Sequence, residues 1–363
     1  MAIPGELSKA LKAGRLVPFA GSGVSRAVLY KDGAQAFSDW KDLLLHMEAA
    51  VRKVDEDTAN FVRSRIDKGM YVKAAGEARD ALDKGWLRFL KAEFSREHSG
   101  IAPDSLELAR ALWRLGSELV ITTNYERVLQ WAADAEGKKD FVDFTSTDGG
   151  HLGRIKQWPV TQPSVWHLHG SMEKPDEIVL TPDGYQRLYP ASGDGVYRAG
   201  LPALRETMAA HSLLFVGFGM EQAIRQQLEW VEEVYQAAGP KHFVLVRESE
   251  LKKKTAELRG LPIEPVGFTG YGPPLLEKLA ELAGLVGNQP VIEVRSHGNP
   301  AKYLADLAEE TAWIDLDKFK MQNSEARRFA MEKLYIEPLM PGRDMEKPVQ
   351  LREAIGNQQS TLI

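Results

Sequence analysis

Four short apolar runs in this chain each break into a polar or glycine-rich loop, and no other feature constrains the fold as much. Residues 16–19 run into Ala20-Gly21-Ser22-Gly23-Val24-Ser25, and residues 119–121 into Thr122-Thr123-Asn124-Tyr125-Glu126. Residues 165–168 run into His169-Gly170-Ser171, and residues 213–216 into Gly217-Phe218-Gly219. Short apolar runs bounded by turn residues read as buried strands. In open α/β sheets the ligand binds at the carboxyl ends of the strands. A glycine cradle, an amide, an imidazole and a second glycine turn at four such ends therefore point to one nucleotide site.

Between the first two runs, residues 40–115 show helical periodicity, with Trp40, Leu43, Leu44, Met47 and Val51 on one face. They read as a helical subdomain inserted between two strands. From residue 119 strand and helix alternate, with helices expected at 126–133, 182–188, 197–210, 221–238, 249–259 and 274–285. Strands are expected at 141–144, 165–168, 178–180, 213–216, 242–246 and 263–266. The alternation predicts an α/β fold with a doubly wound, mostly parallel sheet. Residues 1–16 read as a short amphipathic helix carrying Leu7 and Leu11. Pro18 resists, because proline cannot donate within a sheet, and regular pairing is expected to end at Val17.

Past residue 286 the alternation stops. Residues 1–286 are read as the catalytic domain and 287–363 as a helical linker or tail, with helices at 303–310 and 327–334 and an extended piece at 313–316.

The chain has 363 residues, enough for one sizeable core. Its formal net charge of −5 argues against a main task of gripping nucleic acid, and no direct nucleic-acid binding is expected. No apolar run approaches the roughly 18 residues a membrane span needs, and no leader-like segment opens the sequence. With no cysteine, disulfides, thiolate catalysis and Cys-ligated zinc are excluded. A cytoplasmic location and a metal-free site are the expectations.

Each motif also has a plain structural use. Ala20 to Ser25 could cradle a pyrophosphate on exposed N–H groups, or form a tight turn. Thr123 or Asn124 could cap the next helix, or the Asn124 amide could orient a water or a ribose hydroxyl. Strand alternation puts His167 and His169 on one face. His169, nearer the ligand edge, is the catalytic candidate, and His167 is structural. Gly217-Phe218-Gly219 could serve a phosphate or ribose edge, or close strand–helix packing.

Taken in order, these motifs resemble the sirtuin family, and more closely its bacterial antiphage sirtuin-like branch, from about Arg15 to Val266. The family's glycine-alanine-glycine-x-serine loop stands as Gly21-Ser22-Gly23-Val24-Ser25. Its threonine-x-asparagine-x-aspartate stands as Thr122-Thr123-Asn124-Tyr125-Glu126, its histidine-glycine as His169-Gly170, and its late glycine turn as Gly217-Phe218-Gly219. The resemblance implies a Rossmann-like fold of sirtuin type that binds NAD+ and breaks its nicotinamide–ribose bond. Asn124 and His169 are then catalytic, with Ala20, Gly21, Ser22, Gly23, Val24, Ser25, Thr123, Glu126, Gly217, Phe218 and Gly219 holding the dinucleotide. The four-cysteine zinc module of protein deacetylases is impossible here, and their proline-aspartate-phenylalanine-arginine phrase does not follow Ser25. In the defence branch water is the acceptor, so cellular NAD+ is depleted in abortive infection. Tyr303-Leu304-Ala305-Asp306-Leu307, Ile314-Asp315-Leu316 and Leu334-Tyr335-Ile336-Glu337-Pro338-Leu339 resemble the linker before the NTPase module of STAND-type immune proteins. That implies a fused or associated NTPase or sensor.

The leading expectation is thus an NAD+ glycohydrolase active as a homo-oligomer. The alternatives are a module that senses NAD+ or ADP-ribose without cleaving it, and a zinc-free protein deacylase.

Overall fold

The computed structural model describes residues 3–190, 197–236 and 238–286, together with the short strands at 313–315, 328–330, 339–341 and 348–350. The chain divides into two compact units, Met1–Gln289 and Pro290–Ile363. In the first unit, α1 (Gly5–Lys12) leads into β1 (Leu16–Ala20) and a one-turn α2 (Ser22–Arg26). Four helices follow: α3 (Trp40–Arg52), α4 (Glu56–Asp67), α5 (Tyr71–Leu82) and α6 (Trp86–Phe94). The chain then returns through α7 (Glu107–Trp113) to β2 (Leu119–Thr122), α8 (Val128–Ala135), β3 (Val142–Thr145), α9 (Gly149–Ile155) and β4 (Ser164–His167). After α10 (Pro182–Leu188) and α11 (Gly200–Ala210) come β5 (Ser212–Val216), α12 (Gln222–Tyr235), β6 (His242–Arg247), α13 (Glu248–Glu257), β7 (Ile263–Phe268) and α14 (Pro273–Val286).

The seven strands form one sheet in the order β3-β4-β2-β1-β5-β6-β7, and every pairing in it is parallel. The chain winds leftward from β1, then returns to β1's other side at β5. The strand order reverses at β1, which is where such sheets open a ligand crevice.

Helices cover both faces, so the strands are apolar on both. On β1 and β5, Leu16, Ala20, Leu214 and Val216 pack with α1, α7, α8 and α14. Their neighbours Val17, Phe19, Leu213 and Phe215 pack with α11 and α12 on the opposite face. The inserted helices have their own core, built from residues such as Leu44, Met47, Val51, Val62 and Leu90. Tyr125, Ile178 and Leu180 of the main domain close that core. Asp39 and Asp55 accept from the N–H groups of Asp42 and Thr58 and so fix where α3 and α4 begin.

Some expectations need correction. The first strand runs through Pro18 to Ala20. The bonds Ser212 N–H to Arg15 O and Gly21 N–H to Val216 O show that the odd-numbered residues of β1 face β5. Pro18 therefore turns its missing donor toward β2, where pairing begins only at Phe19 opposite Ile121. Residues 178–180 form no strand: Val179 N–H bonds His169 O, while Ile178 and Leu180 are spent on the insertion's core. The helix after β2 starts at Val128, two residues later than expected, because residues 123–127 form the loop that carries the site.

In the second unit, β8 (Trp313–Asp315) pairs antiparallel with β9 (Arg328–Ala330), so Arg328–Ala330 is extended where a helix was expected. Strands β10 (Leu339–Pro341) and β11 (Pro348–Gln350) also pair antiparallel. The helix expected at 303–310 lies outside the described residues. Among the described residues, no helix is long and apolar enough to cross a membrane.

Candidate active site

The loops leaving β1, β2 and β5 are fastened to one another by backbone and side-chain bonds. Gly23 N–H donates to Gly217 O at 2.8 Å, and the Thr122 hydroxyl donates to Ala20 O at 2.9 Å. Thr122 Oγ1 also accepts from Asn124 N–H at 3.0 Å, so a threonine at the end of β2 sets the turn that presents Asn124.

The Asn124 side chain is then fully oriented. Its Nδ2 donates to Gly21 O at 3.0 Å and to Ser25 Oγ at 2.8 Å. The Ser25 hydroxyl in turn donates a hydrogen bond to Glu126 Oε1. With both amide hydrogens committed, Asn124 presents its oxygen, a pure acceptor, to the cavity that it lines. Burial raises the Glu126 pKa even though the Ser25 hydroxyl pulls it down.

His167 supports the same residue from behind. Its Nδ1–H donates to the Asn124 carbonyl at 2.7 Å, and its Nε2 lies 3.2 Å from Asp143 Oδ1 on β3. Burial lowers the imidazole pKa, but the hydrogen bond and charge of Asp143 outweigh it and the net direction is up.

The inner cavity is about 130 Å³. Trp40, Phe37, Phe94, Tyr125, Tyr185 and Phe218 supply its aromatic walls, and its ionisable groups are Asp39, Glu126, Glu221 and the two tyrosines. An outer cleft of about 730 Å³ shares Ser22, Asp39, Trp40, Tyr185, Gly219 and Glu221 with it. The cleft runs on between the inserted helices (Lys41, Gly69, Tyr71), α10 and the start of α12. Its volume lies in the usual range for small-molecule sites.

Of the residues singled out in the sequence, Ser22, Ser25, Thr123, Asn124, Glu126, Phe218 and Gly219 line the inner cavity. Ala20, Gly21, Gly23, Val24 and Gly217 lie outside its lining. A Cβ on Gly21 would sit 2.5 Å from Gly217 O, and one on Gly23 would sit 2.7 Å from Gly217 Cα. Gly217 has φ +61°, and a Cβ there would lie 2.7 Å from Val24 N. These three glycines let two loop backbones touch.

His169 is also placed differently from a residue that meets a ligand directly. It lies past the end of β4, is 1 % exposed and lines neither cavity. Its Nε2 is hydrogen-bonded to the Tyr189 hydroxyl at 2.8 Å, and its Nδ1 is 3.9 Å from Glu221 Oε2. Burial lowers its pKa to about 3, so the ring is neutral. Glu221, at the N-cap of α12, stands between it and the cavity; Tyr185 donates to Glu221 Oε2 at 3.0 Å. Sequence reasoning passed over Glu221, Asp39 and Tyr185. The one signal for Glu221 was a carboxylate two residues past the second glycine turn, at the mouth of a long helix.

Residues 118–266, which span β2 to most of β7 and include Asn124, His169 and Gly217, match the family model described as a SIR2-like domain. Over these residues the chain is similar to a SIR2-like domain. Among curated proteins it is 28 % identical over 170 residues to "NAD(+) hydrolase ThsA" of Bacillus cereus (strain MSX-D12), covering 46 % of this chain and 32 % of that protein. It is 24 % identical over 211 residues to "NAD(+) hydrolase ThsA" of Acinetobacter baumannii (strain 532279), covering 58 % of this chain and 37 % of that protein. The matches thus take in about a third of each relative's length. The seven-stranded parallel sheet with helices on both faces, to which the matched residues contribute β2 to β7, is a Rossmann-like arrangement consistent with a SIR2-type fold.

Proposed function

We propose that this chain binds NAD+ and hydrolyses the bond between nicotinamide and ribose, releasing nicotinamide and ADP-ribose. One observation carries the reading. Asn124, held by Gly21 and Ser25, turns an acceptor oxygen into a cavity whose walls are aromatic and whose ionisable groups are carboxylates and tyrosines. The two relatives named as NAD(+) hydrolases support it.

The chemistry suits the lining. Nicotinamide leaves as a neutral ring and the positive charge passes to the ribose as an oxocarbenium-like centre. Fixed carboxylates and an oriented amide oxygen stabilise that charge where it develops. Asn124 holds the attacking water or a ribose hydroxyl. Trp40, shared by the inner cavity and the outer cleft, offers a face for a flat ring, and the rest of the dinucleotide occupies the cleft. His169 acts from behind Glu221. In the cell, the proposed role is NAD+ depletion as an antiphage effector, with activity dependent on assembly into a homo-oligomer.

Incubating the full chain with NAD+ and following nicotinamide and ADP-ribose tests this directly. Equimolar release of both supports hydrolysis. Tight binding without release would make the chain an NAD+ sensor, and release only with an acetyl-lysine peptide would make it a deacylase.

A further inference from the structure

The hydrolase reading leaves open which group takes the proton from the attacking water, and the cavity narrows the choice. Asp39 is committed: its Oδ1 accepts from Asp42 N–H at 2.9 Å and its other oxygen pairs with Arg26. Glu126 takes the Ser25 hydroxyl. His169 is sealed behind Tyr189 and lines neither cavity. Glu221 lines both cavities, and its bonds to Tyr185 and proximity to His169 fall on Oε2 alone. Its Oε1 makes no hydrogen bond to the described residues and is left for a ligand.

We propose that Glu221 is the proton acceptor of the reaction, with Tyr185 holding its Oε2, in front of His169, so that Oε1 meets the water oriented by Asn124. This rests on the NAD+ hydrolase reading. A cavity of about 130 Å³ holds only a handful of waters, so Asn124 and Glu221 on its wall address the same few. In the step, the bond from C1′ to the nicotinamide nitrogen breaks and both electrons stay with that nitrogen, discharging the ring. The water oxygen bonds to C1′, one of its protons passes to Glu221 Oε1, and that proton leaves to solvent through the outer cleft.

The electrostatics agree with the placement. Burial raises the Glu221 pKa to about 7, against the downward pull of the Tyr185 hydroxyl. A base with its pKa near the working pH is the efficient choice. The titratable groups beside it are Tyr125, Tyr185, Tyr189 and His169, none of which carries charge near neutrality, while Asp39 and Glu126 line the same cavity. Its side chain is 28 % exposed, which gives the proton a way out.

The test compares wild type, Glu221→Gln and Glu221→Ala, all as full chains checked by melting temperature, for nicotinamide release from NAD+ with and without sodium azide. Azide is an anionic nucleophile that needs no proton acceptor. Glu221→Gln should lower kcat about 10²–10⁴-fold and flatten the rise of kcat near pH 7. KM should move less than about threefold, as befits a group acting in the transition state. Azide should restore release in Glu221→Ala, with ADP-ribosyl azide as the product. If Glu221→Ala does not fold, the pH profile of the isosteric Glu221→Gln decides alone. A Glu221→Gln chain that keeps the wild-type profile, or a folded Glu221→Ala chain indifferent to azide, overturns the assignment while wild-type turnover leaves the hydrolase reading standing. No release from wild type sinks both.

Discussion

Asn124 Nδ2 donates to Ser25 Oγ at 2.8 Å, joining the loop after β2 to the loop after β1 across 99 positions of sequence. The bond settles which end of the amide faces the cavity. It also explains why a serine closes the first loop: Ser25 can accept from Asn124 and donate to Glu126 at once.

Asn124→Asp is therefore expected to fail nearly as badly as Asn124→Ala, although aspartate keeps the shape. A carboxylate cannot donate to Gly21 O and would face that carbonyl oxygen instead. Both variants should lose about 10²–10³-fold in kcat, the scale for removing one oriented polar group from a transition state. Nicotinamide release and NAD+ binding measured side by side check this; a fall in binding alone would reassign Asn124 to ligand affinity.

The glycines divide into two sorts. Gly217→Ala adds a Cβ at positive φ, 2.7 Å from Val24 N, and should destabilise the fold by about 1–3 kcal/mol. Gly219 lines the cavity, and a Cβ there meets nothing within 4 Å. Gly219→Ala should melt within about 0.5 kcal/mol of wild type, as a substitution in open space does. Equal melting of the two variants would refute the loop-to-loop account of Gly217.

The Asp143–His167 pair should contribute to stability over a window of pH. His167 has its pKa raised above 6.5, so its contribution is full below 6.5 and fades as pH rises through the folded value. Asp143 has its pKa lowered below 3.8, because the bond and charge of His167 outweigh its burial. Its share is present above 3.8 and fades as pH falls through the folded value. Asp143→Asn should therefore cost most between about pH 4 and 6.5, up to about 3–5 kcal/mol for a broken buried pair. The gap between the melting curves of variant and wild type should be widest at about pH 5.5 and shrink as pH rises through the folded pKa of His167.

Assembly is the last expectation. If a homo-oligomer is the active form, specific activity should rise with protein concentration and track the oligomer seen by light scattering. Full activity from a strict monomer would remove assembly from the account without touching the chemistry.

Much of this architecture was legible in the chain. The ends of β2 and β5 fall within one residue of the expected positions, since apolar runs buried on both faces stop where polar turns begin, while β1 runs on past Pro18 to Ala20. Residues 178–180 misled because an apolar triplet looks alike whether it pairs in a sheet or plugs a neighbouring core. Helix capping did not absorb Asn124: the helix begins four residues later, at Val128. The placement of His169 was not readable, because Tyr189 reaches it from a helix that sequence spacing cannot orient. Glu221 was equally hidden, since nothing in a single carboxylate before a helix tells which of its oxygens will be left over.

Pro18 gives the sheet a seam. Between β1 and β2 the register holds at Phe19–Ile121 and Ala20–Thr122, and further ties follow at the strand ends: Thr122 and Thr123 to Ala20, and Asn124 to Gly21 and Ser25. The same atoms that shape the cavity thus stitch one half of the molecule to the other. Replacing Thr122 or Asn124 would therefore loosen that line as well as the cavity wall.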